Sequence, residues 1–384
     1  MLELSTLLDR MFHLHAAIPQ VLWRGGRAFR PIHLFIEVTY RCNLRCNFCQ
    51  YLNIIEGNAK HVGPNPDEFS FEDIKKNIDE FPFGRLISFA GGETLVRKDF
   101  PEILVYASRR HRTHVVTNGS LISESIAERY VSLAPRRFWQ NGLVLVGVSM
   151  EGDEERHDRV VQRPGSWRRT VEGVRHLVRL RRESGKVYPK LNLKLVVTRD
   201  TVDGLEDFVR LGGELGVDVV NFLAEHDLVG NAGNLTGQAQ LSRLDLPQRR
   251  PEGVDPDLLR QQLRRSFALS GELGLQVRLT PHIPPEEFVR HYSDDRALDG
   301  REYECGGAWS RMGVAADGRY TPLCDYVRTG DVRQDSMMEV WNGAELRALR
   351  ARVLRSRVFA GCNGCCNLRY VGDRKFGLEG LDST

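Results

Sequence analysis

Eight cysteines are spread very unevenly along the 384 residues of the chain. Cys42, Cys46 and Cys49 stand together near the start. Cys305, Cys324, Cys362, Cys365 and Cys366 lie near the other end, and the stretch between the two groups holds none. An even count admits a disulfide framework. No secretory signal is legible, so a reducing compartment is expected, where such bridges rarely persist. Clustered thiols in that setting point to metal or catalysis. The first group reads Cys42-Asn-Leu-Arg-Cys46-Asn-Phe-Cys49, a C-x3-C-x2-C spacing. Structural zinc usually takes four ligands from paired C-x2-C or Cys/His units, and no fourth ligand stands nearby. A cubane [4Fe–4S] cluster offers four irons, each wanting an outer ligand. Three thiolates would leave one iron open, and an open iron can coordinate a small molecule. A structural zinc site and a chance cluster are the alternatives.

The elements that must position these thiols alternate regularly. Strand-like runs at 33–39, 85–90, 113–117, 143–149, 191–197 and 217–224 are apolar and rich in β-branched residues. Segments of helical spacing separate them at 71–80, 100–109, 122–132, 166–184 and 202–215. Such alternation implies a parallel sheet with right-handed crossovers. In folds of this type active residues gather at the C-terminal ends of strands. The cysteine loop follows the first strand in that way. Gly91-Gly92-Glu93 follows the second, Thr117-Asn118-Gly119 the third, and Ser149 and Glu151 the fourth.

Cys42, Cys46, Phe48 and Cys49 resemble the signature of the radical S-adenosylmethionine (SAM) superfamily, C-x3-C-x-aromatic-C. The resemblance covers roughly residues 33–224 and implies an α/β fold, a partial (β/α)6 TIM-like barrel. It implies a [4Fe–4S] cluster on Cys42, Cys46 and Cys49 whose open iron binds SAM. Reductive cleavage of SAM would then give methionine and a 5′-deoxyadenosyl radical that abstracts hydrogen from an unactivated C–H bond. By the same resemblance Gly91, Gly92 and Glu93 hold the SAM amino group. Asn118 shapes the cofactor pocket, Ser149 reaches the ribose or the substrate, Arg163 pairs with the SAM carboxylate, and Phe48 supports the adenine. For each residue the plain alternatives are turn formation, barrel packing or a solvated surface. His157 and Asp158 are expected to fix the loop after the fourth strand. Asn192, Lys194, Asn221 and Leu223 are expected to face the cofactor adenine or the substrate, with ordinary barrel packing as the alternative.

A second metal site closes the chain. Cys305, Cys324, Cys362 and Cys365 resemble the twitch domain, a shortened relative of the SPASM domain, with one auxiliary [4Fe–4S] cluster. Zinc is the alternative, because C-x2-C also suits it. Spacing does not decide between Cys365 and Cys366 as ligand. The spare thiol, taken as Cys366, could donate a hydrogen atom in catalysis. The expected organisation is a cap helix over 1–32, the barrel over 33–230, a connecting region over 231–304, and a small α+β auxiliary-cluster domain over 305–384.

The resemblance to twitch-domain relatives implies epimerisation or dehydrogenation of a small sugar- or cyclitol-type intermediate, as in antibiotic biosynthesis, with flavodoxin or ferredoxin as electron donor. A peptide maturase is the main rival within radical chemistry, although only 32 residues precede the first strand, few for a peptide-recognition module. A noncatalytic iron–sulfur electron carrier is the rival from another class. It would need neither Gly91-Gly92-Glu93 nor a barrel. The formal charge of +3 gives no global argument for nucleic acid. Acidic residues interrupt the apolar N-terminal pattern, and no run approaches the roughly 18 apolar residues of a membrane span. A cytoplasmic protein is expected.

Overall fold

The structure, a computed structural model, describes residues 14–49, 51–52, 55–56, 68–137, 139–226, 245, 251–293, 298–321 and 328–373. Of the N-terminal cap, residues 14–22 are helical, and Leu2, Leu4, Leu7, Leu8 and Met11 lie outside the described residues. So does most of the loop expected over 225–254. Among the described residues no helix is long and apolar enough to cross a membrane.

Seven parallel strands form the body of the sheet: β1 His33–Glu37, β2 Leu86–Ala90, β3 Arg112–Thr117, β4 Gly142–Ser149, β5 Lys190–Val197, β6 Val219–Ala224 and β7 Gln276–Thr280. Helices cross between them: α1 Phe71–Glu80, α2 Phe100–Ser108, α3 Glu124–Leu133, α4 Glu154–Val160, α5 Ser166–Glu183, α6 Leu205–Leu215 and α7 Pro256–Leu273. Their ends follow local chemistry. Ser70 and Asp73 form a reciprocal capping box on α1. Asp255 caps α7 just before Pro256 at its first turn, and Gly274 ends it in the left-handed region.

Alternate strand residues face the helices and are fully buried, Leu34, Ile36, Phe89, Val115, Val146, Leu193 and Phe222 among them. Burying both faces explains why the strands read as nearly continuous apolar runs. The intervening positions face the lumen of the barrel, and several are polar: His33, Ser88, His114, Asn192, Lys194 and Asn221.

Two features differ from the sequence expectation. The connecting region contributes α7 and β7, and β7 pairs in parallel with β6, from Val219↔Gln276 to Leu223↔Thr280. The parallel sheet therefore continues beyond the six strands of the expected barrel. The sequence predicts a helix around 255–273 and a strand near 275–280 there, but not that this strand joins β6. Nor is the region after 305 separate from the sheet. Strand β9 (Arg311–Val314) pairs in parallel with β1, and β10 (Arg319–Tyr320) and β11 (Thr329–Asp331) continue antiparallel beyond it. A separate ribbon joins β8 (Tyr303–Cys305) to β12 (Leu368–Tyr370).

The C-terminal segment is also clamped to the body. Helix α8 spans Pro285–Ser293, α9 Met337–Trp341 and α10 Ala344–Ser356. The spacing of 341–354 predicts a helix; it forms from Ala344 onward as α10, and Trp341 ends the short helix before it. Arg350, on α10, is buried and donates to the carbonyls of Ala308 (2.7 Å) and Trp341 (2.8 Å) while stacking on the Trp341 ring. Tyr320 donates to Asn77 Oδ1 of α1 at 2.9 Å.

Candidate functional site

The loop after β1 carries Cys42, Cys46 and Cys49, all partly buried, and two neighbours hold it in place. The Gly92 and Glu93 amides donate to the carbonyls of Thr39 (2.7 Å) and Arg41 (2.8 Å). A Cβ at Gly91 would fall inside contact distance of the Thr39 carbonyl oxygen, and one at Gly92 inside that of Arg41. Gly91 also has φ +140°, so both glycines are required by the close approach of two backbones. On the other side the Arg45 and Asn47 amides donate to the carbonyls of Val161 and Val160, each at 3.1 Å, at the end of α4.

The thiols sit in surroundings that suit anionic sulfur. Backbone amides face them: Leu44 donates to Cys42 Sγ at 3.4 Å and Phe359 to Cys362 Sγ at 3.4 Å. The Tyr51 amide faces Cys49, and those of Gly307 and Ala308 face Cys305. Burial nevertheless pushes the Cys42 thiol up to about 11 and that of Cys362 to about 12, with Cys46 well above its ordinary value. Buried thiols with amide donors in place stay protonated until a metal displaces the proton, and the same donors then stabilise the ligating thiolate. No described cysteine is in a disulfide. Among the described residues no three His, Cys, Asp or Glu side chains converge closely enough to chelate a single ion. A cubane, which spreads its ligand sulfurs around four irons, does not require that convergence.

Glu93 is fully buried. Its carboxylate accepts from Thr117 Oγ1 (2.7 Å), Leu95 N (3.0 Å) and Asn118 N (2.7 Å). It thereby ties the turns after β2 and β3 together, a bracing role that sequence did not suggest. Asn118 Nδ2 donates to Asn43 Oδ1 at 2.9 Å and its Oδ1 accepts from Ser120, so its side chain orients the cysteine loop. Phe48 is half-buried on that loop. Ser149 is half-buried at the end of β4, opposite Lys194 in register. Arg163 is exposed, two residues beyond the Val161 carbonyl that receives the cysteine loop.

His157 and Asp158 fix the following turn. His157 Nδ1 accepts from the Glu151 amide at 3.1 Å, and Asp158 Oδ1 from the Trp167 amide at 2.8 Å. Burial holds His157 down to about 4, so it stays neutral and can accept. Glu151 is buried too and is pushed up to about 8, with Oε2 accepting from Val196 N at 3.0 Å.

Of the second group, Cys324 lies outside the described residues. Leu368 pairs with Cys305 across the β8–β12 ribbon, and Cys365 N donates to Cys362 O at 3.0 Å, which gathers Cys305, Cys362, Cys365 and Cys366. His291 anchors this segment to the barrel, meeting Asn363 Oδ1 (3.0 Å) and the Glu225 carbonyl (2.8 Å). Cys366 is exposed and takes a contact of 3.6 Å from Arg311 Nη1. It also lies close enough to Lys194 in the lumen to interact electrostatically.

Sequence reasoning passed over a chain of polar groups within the lumen. His33 Nε2 meets Ser88 Oγ at 2.8 Å, and Ser88 Oγ meets His114 Nδ1 at 3.0 Å. The available signal was a polar residue at alternate positions of otherwise apolar strands.

A barrel with three thiols after its first strand and a second thiol group beside its open end defines a radical SAM protein with an auxiliary cluster domain. Comparison with known proteins agrees. The radical SAM superfamily profile matches residues 36–220, and that of the SPASM iron–sulfur cluster-binding domain matches 305–366. The chain belongs to the radical SAM superfamily and ends in a SPASM domain, with the [4Fe–4S] clusters and SAM that these domains imply.

An AdoMet-dependent heme synthase of Nitratidesulfovibrio vulgaris is 26% identical over 326 residues, 80% of this chain and 78% of that protein. Mycofactocin maturase MftC of Mycolicibacterium smegmatis is 29% identical over 189 residues, 48% of this chain and 43% of that one. The fold is similar to Streptococcus suis SuiB bound to S-adenosylmethionine, with TM-score 0.61 and 15% identity, covering 92% of this chain and 76% of that one.

Proposed function

We propose that this radical SAM enzyme abstracts hydrogen from a C–H bond of a small sugar- or cyclitol-type molecule held in the barrel lumen, giving epimerisation or dehydrogenation. The observation that carries the reading is the position of Cys366, beside Arg311 and Lys194. Cys42, Cys46 and Cys49 would hold the first cluster, which with bound SAM supplies a 5′-deoxyadenosyl radical. Gly91, Gly92, Glu93 and Asn118 fix the loop that presents those thiols, while Phe48, Ser149 and Arg163 stand where they could meet SAM. Cys305, Cys324, Cys362 and Cys365 would hold the auxiliary cluster. Epimerisation needs a hydrogen atom returned to the opposite face, and the Cys366 thiol can give one. Dehydrogenation needs a nearby acceptor for one electron, which the auxiliary cysteines would hold. Reduction would come from a flavodoxin or ferredoxin, and a cytoplasmic setting fits reduced thiols.

The test is turnover of the reconstituted, reduced enzyme in deuterated water. Epimerisation places one solvent deuterium at the reacting carbon, and dehydrogenation places none there. Cys366→Ala should keep 5′-deoxyadenosine formation and stall epimerised product; unchanged product would remove Cys366 from the reaction. Peptide maturation is the second reading, favoured by the likeness to mycofactocin maturase MftC. Turnover of a peptide and not of a sugar or cyclitol would select it.

A further inference from the structure

Lys194 points into the barrel lumen, where no described carboxylate pairs with it. Lys194 is half-buried, and desolvation lowers its pKa to about 8, so it is still largely charged near neutrality. His114 Nε2 is buried and has no hydrogen-bond partner among the described residues. The two groups meet at Gly147 on β4. A Cβ there would come within 2.6 Å of Lys194 Cε, 2.9 Å of Nζ and 3.2 Å of His114 Nε2. Glycine therefore lets the Lys194 side chain lie against the β4 backbone, with its ammonium and the His114 ring nitrogen brought to the same point of the lumen. Asn192, beside Gly147 in register, has a buried Oδ1 without a partner among the described residues.

The polar chain on the other side orients His114. An anion at that point selects the tautomer in which His33 Nε2–H donates to Ser88, Ser88 donates to His114 Nδ1, and His114 Nε2 carries the outward proton. Among the lumen-facing positions of β1–β7 the single carboxylate is Glu37, and the Tyr51 hydroxyl holds its Oε1 at 2.5 Å. A partly desolvated ammonium beside a buried N–H donor, neither with an acceptor among the described residues, is a costly pair unless a ligand satisfies it.

We propose that Lys194 and His114, brought together over Gly147, form an anion-binding subsite that holds a carboxylate or phosphate group of the substrate. It rests on the reading that the lumen is the substrate site, and it adds the chemical class of the group recognised there. The subsite lies one layer beneath the strand ends that present the cysteine loop. A substrate pinned by its anion would offer its remaining carbons toward that loop, with the Cys366 thiol beside Lys194.

The experiment is calorimetric titration of the anaerobically reconstituted chain with sodium propionate and with inorganic phosphate, each with and without saturating SAM. At least one anion should bind the SAM-loaded protein at one site per chain. Lys194→Met and Gly147→Ala should each weaken it by about tenfold or more, and Lys194→Arg should restore much of the affinity. The proposal is overturned if neither anion binds the SAM-loaded chain, or if Lys194→Met leaves the affinity unchanged. It is equally overturned if SAM excludes the anion and Lys194→Met weakens SAM itself, for the site would then belong to the SAM carboxylate. SAM cleavage in the same preparations is read separately: its absence counts against the enzymatic reading, whereas its persistence without anion binding counts against the subsite alone.

Discussion

The amide of Gly92 donates to the carbonyl of Thr39 at 2.7 Å, so the turn after β2 grips the loop that carries the three leading cysteines. That contact is possible only because residue 92 lacks a side chain. A methyl group there would meet the backbone of Tyr40 and Arg41, which cannot swing aside as a side chain could. Gly92→Ala should therefore displace the cysteine loop, cost about 1–3 kcal/mol of stability, and lower the iron held at the first cluster. Thermal unfolding of the metal-free chain and iron analysis of the reconstituted one check the two parts.

Arg350 should be among the most sensitive positions remote from the site. Replacement by Met keeps much of the packing on Trp341 but strips the buried carbonyls of Ala308 and Trp341 of their donor. A loss of about 3 kcal/mol is expected in denaturant unfolding. A change below about 0.5 kcal/mol would mean that water replaces the guanidinium.

Acid should loosen the turn after α4. The folded-state pKa of His157 is lowered by burial from 6.5 to about 4, so the unfolded chain binds the proton more readily. The stability that neutral His157 contributes is present above about pH 6.5 and is lost as pH falls toward 4, by up to about 3 kcal/mol. His157→Asn, which retains a polar side chain, should flatten that part of the stability profile between pH 7 and 4. An unchanged slope would assign the acid sensitivity to other groups, such as His33, lowered to about 3.

Iron counting separates the two thiol groups. The intact protein should carry about eight irons and eight sulfides per chain. Cys305→Ala or Cys362→Ala should reduce that to about four while leaving SAM cleavage at the first cluster. A count near four in the intact chain would remove the auxiliary cluster.

Much of the fold was legible in the sequence because parallel strands buried on both faces leave long apolar runs, as at 143–149 and 191–197. A strand near 275–280 was legible as well, but nothing local says that it joins β6. The pairing of β9 with β1 is likewise a contact between segments almost 280 residues apart, which periodicity does not encode. The thiols were readable from spacing. The roles of their neighbours were not: Glu93 reads as a ligand-facing carboxylate in sequence, whereas in the fold three protein donors fill much of its accepting capacity. Lys194 and His114 were invisible as a pair because only the barrel register brings them to Gly147.

The central claim is that Cys42, Cys46 and Cys49 hold a cluster whose remaining iron takes SAM. Electron paramagnetic resonance of the reduced protein lacking the auxiliary site, recorded before and after SAM addition, tests it most directly. A [4Fe–4S] signal whose g values shift on addition of SAM is the predicted result; a signal indifferent to SAM, or no iron signal at all, would contradict it.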